Sequence, residues 1–185
     1  GSEARRKWMD SVVCQLDRPY LQHVLDYNKA LAQRNNLLRY FSENRVWDRA
    51  MLEPWTERML PSALVIRAQR QAFVEAFNPL FERVYGELSG GQEHAKVVYK
   101  SQVPASEAEA RSKWLESEGD DRRLRRSTFG VHKDDLVFEL NGHPVKRMGV
   151  PRPTKILPHC LAPCPIGVHG ASDGREAAVA VGRHF

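Results

Sequence analysis

Apolar residues return at helical spacing from Leu21 through Val24, Leu25, Leu31 and Leu38 to Phe41, with Asn28 and Asn35 set in the same stripe. Asp17 can cap this segment, and Pro19 suits its first turn. The pattern predicts an amphipathic helix over about 19–42, roughly 36 Å long at the usual rise per residue. The polar Ser42-Glu43-Asn44-Arg45 link is short, so the next helix is expected to fold back antiparallel. In that second region Trp47, Met51, Trp55, Met59, Ala63, Ile66, Phe73, Phe77, Leu80 and Val84 line one broad face that two long helices would bury between them. This methionine and aromatic stripe reads as core packing rather than a cofactor box. Pro54, Pro61 and Pro79 are expected to kink or divide the helix, and Ser89-Gly90-Gly91 to end it.

Beyond Gly91 the pattern changes. Ala95 to Val103 is rich in β-branched residues and reads as a strand. Ser106 followed by Glu109 is a capping-box pattern, opening a polar helix through Trp114 and Leu115 toward Arg122-Arg123-Leu124-Arg125-Arg126. Leu136 to Leu140 and Pro144-Val145-Lys146 flank Asn141-Gly142, a strong hairpin signal. From Val150 to Phe185 proline, cysteine, histidine and glycine become dense and no element is readable. The expected fold class is α+β, mainly α, with a long antiparallel helical hairpin joined to a small β portion. The expected boundaries are 1–92 for a helical arm, 93–149 for a strand, helix and β-hairpin, and 150–185 for an irregular tail.

The 185 residues, 42% hydrophobic and 28% charged, have the composition of an ordinary globular protein. No apolar run approaches bilayer-spanning length, and Gly1-Ser2-Glu3-Ala4-Arg5-Arg6-Lys7-Trp8 carries no apolar signal region. The expectation is a cytoplasmic protein with no membrane partner. Three cysteines, Cys14 far from Cys160 and Cys164, make no disulfide framework and fit a reducing compartment. A net charge of +5 permits contact with a polyanion without requiring it. The candidate DNA contacts are two basic clusters, Arg5, Arg6 and Lys7, and Arg122, Arg123, Arg125 and Arg126. The second suits a phosphate-contacting stripe that releases counterions. It equally suits a solvated helix end whose cations face the negative end of the dipole.

Arg5-Arg6-Lys7-Trp8-Met9-Asp10, Tyr27-Asn28-Lys29-Ala30-Leu31-Ala32-Gln33-Arg34-Asn35-Asn36-Leu37-Leu38 and Thr128-Phe129-Gly130-Val131-His132-Lys133-Asp134-Asp135-Leu136 follow one another along the chain. In that order they resemble the Arg-Arg-x-x-x-Asp, Tyr-x-x-x-Leu-x-Gln-Arg-Asn-x-Leu-Leu and Thr-x-Gly-Pro-His-Arg-Asp-Asp-Leu motifs of the RecF family, ABC-type ATPases of bacterial recombinational DNA repair. The resemblance implies that residues up to about 88 form the family's helical arm and that 95–149 belong to an ABC/SMC-type ATPase head. Gly130, His132, Lys133, Asp134 and Asp135 are then the head motif. Val131 and Lys133 depart from the family's proline and arginine, and lysine lacks the bidentate fork of arginine. His132 to Asp135 reads as a charged lead into a strand in preference to a nucleotide contact. The resemblance further implies ATP and Mg in the intact family and dimerisation on ATP. It also implies DNA binding at gaps and single-strand/double-strand junctions, with the recombination mediators RecR and RecO as partners.

The family's signature, near Ser-x-Gly-Gln-Gln, and a Walker B strand ending in Asp-Asp are expected after the hairpin, and neither stands there in frame. We read Val150 to Phe185 as an out-of-frame translation of that region. Val179 to Phe185, back-translated with suitable third bases and shifted by one base, gives Leu-Leu-Leu-Asp-Asp-Ile; codons unable to yield the shifted product would sink the idea. Leu88-Ser89-Gly90-Gly91-Gln92 spells an ABC signature, but it precedes a strand instead of opening a helix, so it reads as a helix-ending turn. His159, Cys160, Cys164 and His169 hint at zinc without a paired Cys-x-x-Cys, and no metal is expected. No Gly-x-x-x-x-Gly-Lys-Ser/Thr occurs. Without that phosphate cradle and a Walker B carboxylate, no catalytic residue is assigned and no ATP is expected to be held by this chain alone. The reading is a truncated RecF-like DNA repair protein; the alternative is a non-enzymatic helical interaction module or a gene remnant. An unpaired edge on the 95–103 strand would invite self-association.

Overall fold

The computed structural model describes residues 1–145. The zinc reading of Cys160 and Cys164, and the out-of-frame reading of 150–185, lie outside the described residues. Helices α1 (Ser2–Leu16), α2 (Arg18–Asn44) and α3 (Arg49–Ser89) precede strand β1 (Ala95–Lys100). Helices α4 (Glu107–Glu116) and α5 (Glu118–Leu124) then lead through a single 3-10 turn to β2 (Asp135–Leu140) and β3 (His143–Pro144).

Helices α2 and α3 form the expected antiparallel hairpin. Leu38 and Phe41 meet Leu52 beside the turn, Arg34 reaches Thr56 further along, and Tyr20 reaches Arg70 at the far end. Asp17 stands at the N-cap of α2, but its side chain accepts no bond from the helix; Asp48 does cap α3, accepting from the Ala50 amide. The buried stripe of α2 is rotated from the one the leucines predict. Leu21 and Leu25 are 46% and 54% exposed, whereas Tyr20, Tyr27, Ala30, Arg34, Leu38 and Phe41 are buried. The helix turns Tyr20, Tyr27 and Arg34 inward because each finds a partner there, which removes the penalty of burying a polar group.

The three prolines do not divide α3, which runs unbroken for 41 residues. All three sit on its exposed side. Each forfeits one ladder hydrogen bond, but on that side water can serve the freed carbonyl, while Leu52, Met59, Leu60, Ala63, Ile66 and Val74 hold the opposite side in the core. Gly90, at φ 66°, caps the helix C-terminus and donates its N–H to the Gly86 carbonyl. The Leu88 to Gln92 run is therefore a helix-ending turn. Helix α1 has no counterpart in the expected elements: only Met9 and Val13 are fully buried along it, too few to mark a stripe.

Ser106 caps α4, accepting from the Glu109 amide. Buried Trp114 meets Phe129 edge to face, ring centres 5.0 Å apart. Strand β1 pairs antiparallel with β2, Val97 opposite Phe138, and β3 follows β2 through Asn141 and Gly142, at φ 49° and 80°. Those left-handed values are what a two-residue hairpin turn demands. On the other edge of β1, Asn78 of α3 donates Nδ2 to the Val97 carbonyl at 2.9 Å and accepts the Val97 N–H at 2.8 Å. One side-chain amide thus takes the place of a neighbouring strand. A single buried cluster runs from Met9 and Tyr20 through Met59, Ile66 and Val97 to Trp114 and Leu136, so helices and sheet share a core. Among the described residues no helix is long and apolar enough to cross a membrane.

Candidate functional site

The three motif segments meet where α1, α2 and α3 abut the turn before β2. Arg70 of α3 is the hub. Its guanidinium donates Nε and Nη2 to the two carboxylate oxygens of Asp10, both at 2.9 Å. Nη1 reaches Asp134 Oδ2 at 2.9 Å and the Val131 carbonyl at 2.8 Å. Tyr20 donates to Asp10 and Tyr99 to Asp134. Burial opposes the Arg70 charge, but the Asp10 carboxylate more than offsets it and the cation holds its proton above the ordinary range. Burial pushes the Asp134 carboxyl up, against the donors around it. Beside it, Arg5 grips Asp135 with two parallel bonds of 2.9 and 2.8 Å, and Arg6 donates to the Asp134 carbonyl at 2.7 Å. Burial works against the Asp135 charge, and Arg5 overcomes it, holding the carboxyl below its usual value.

A second buried contact joins α2 to α5. Arg34 donates Nη1 to Asp121 Oδ2 and to Ser127 Oγ, each at 2.7 Å. Asp121 Oδ1 accepts the Thr128 amide and hydroxyl, and Asn35 accepts the Ser127 amide. Between the two contacts lies His132. Its Nε2 is 3.1 Å from the Ser127 carbonyl and its Nδ1 is 2.7 Å from the Tyr27 hydroxyl. A carbonyl only accepts, so the proton sits on Nε2 and Tyr27 donates to Nδ1. Burial lowers the His132 pKa to about 4, which keeps the ring neutral. Gly130 adopts φ 133°, and a Cβ there would collide with the Tyr27 hydroxyl, so both backbone and space demand glycine.

The candidate DNA contacts fall into different settings. Lys7 is exposed and paired with Glu3. Arg122 lies over the Trp47 ring at 5.3 Å, and Arg123 pairs with Asp120 at 2.9 Å. Arg125 caps α5 in the left-handed region at φ 56°. Arg126 is exposed. Lys133 lies in a cleft of about 390 Å³ with Arg6, Lys7, Tyr27, Asn28 and His132. Burial, then the charges of Arg126 and Arg6, hold its ammonium below the ordinary lysine value. Arg70 and Asp121, the two residues that fasten the motifs together, were missed by motif matching. The visible signal for Arg70 was a cation placed on the apolar face four residues after Ile66.

No protein-family model matches the chain. Curated relatives do. The DNA replication and repair protein RecF of Flavobacterium johnsoniae is 38% identical over 149 residues, 80% of this chain and 41% of that protein. RecF of Chlorobium phaeovibrioides is 36% identical over 151 residues, 77% of this chain and 41% of that protein. Over this stretch the chain is similar to RecF proteins. A solved RecF-ATP structure of the RecFOR pathway shares the fold, with a TM-score of 0.71 at 22% identity, over 78% of this chain and 40% of that one. A RecF-ATPrS structure of the same pathway matches equally, at 0.71 and 24%. The chain thus spans about two fifths of the RecF proteins it matches.

In this RecF-type chain the described residues do not fit a self-sufficient ATP site. The glycine pair at 90–91 closes a helix, so no helix N-terminus is there to receive phosphate. Asp134 and Asp135, the paired carboxylates of the head motif, are held by Arg70, Tyr99 and Arg5 instead of facing an open cleft as metal ligands.

Proposed function

We propose that the chain serves in DNA replication and recombinational repair as the arm-to-head joint of a RecF-type protein. In this role it touches DNA at gaps or single-strand/double-strand junctions through phosphates. The observation that carries this reading is the convergence of the three RecF-type motifs on one buried network, fastened by Arg70 and by the Arg34–Asp121 pair. A joint of that kind keeps the angle between a long arm and a head fixed, as a DNA-clamping machine requires. ATP with Mg, dimerisation on ATP, and engagement of RecR and RecO belong to the intact protein in the cytoplasm, and this chain alone is read as holding no nucleotide. Arg6, Lys7, Arg122, Arg125 and Arg126 are the cations it offers to DNA, and Arg5 supports them from its pair with Asp135.

The test is fluorescence anisotropy of labelled gapped DNA with the purified chain across a salt series, with and without ATP. Affinity is expected to fall linearly on a logarithmic salt scale, by about 0.9 per phosphate contacted, and to ignore ATP. Absent or salt-insensitive binding would return the chain to a helical protein-interaction module.

A further inference from the structure

We draw no further inference here: the strongest candidate, the exposed side of α3 where Ala68, Ala72 and Ala76 stand in line between Pro61 and Pro79, is a stripe of small residues, and nothing in the structure shows what covers it.

Discussion

The side chains of Arg34 and Asp121 are 1% and 0% exposed, and Thr56, Ser127 and Thr128 hydrogen-bond to the pair around its 2.7 Å contact. Removing one partner strands a charge in the core. Arg34→Ala is therefore expected to cost about 3–5 kcal/mol, read as a lower urea midpoint at unchanged slope. His132 gives a different dependence. It is neutral in the fold, with its pKa lowered from 6.5 to about 4. Above pH 6.5 both folded and unfolded chains carry a neutral ring and the stability is complete. Between 6.5 and 4 only the unfolded chain takes up the proton, so stability falls as pH falls. The loss between about pH 7 and pH 5 is on the order of 2 kcal/mol. Denaturant titrations at both pH values, set beside His132→Asn, check it, because the variant should lose that increment.

Among the elements, those legible in the sequence were the ones specified by neighbours. The β2–β3 turn follows from Asn141-Gly142, the α4 cap from Ser106, and the end of α3 from Gly90. The elements misjudged depend on partners far along the chain. The inward turn of α2 is decided by Tyr27 meeting His132, 105 residues away, and by Arg34 meeting Asp121, 87 residues away. A count of leucines cannot register either. The continuity of α3 likewise depends on all three prolines lying on its wet side, which periodicity alone does not reveal. The site was half legible: its motifs could be matched, but their purpose needed Arg70, which belongs to none of them. Asn78 is also invisible to motif matching, and its loss is expected to open the β1 edge. Asn78→Ala should show concentration-dependent association by sedimentation beyond that of the unmodified chain.

Across the molecule, helices and sheet share one core, although the sequence pattern changes near residue 92. Arg70 links α3 to α1 and to the lead into β2, and Arg34 links α2 to α5. A chain ending at 92 would leave Arg34 without Asp121 and Arg70 without Asp134. It is expected to melt well below the full chain and less cooperatively by circular dichroism, and an equal midpoint would show that the arm stands alone. The Asn78 clasp also bears on the order of events during synthesis. Asn78 leaves the ribosome only 19 residues ahead of Val97, whereas β2 is made much later. The outer edge of the nascent strand can close against finished helix while its own sheet partner is still untranslated, so one of its two sticky sides is hidden from other emerging chains throughout that interval.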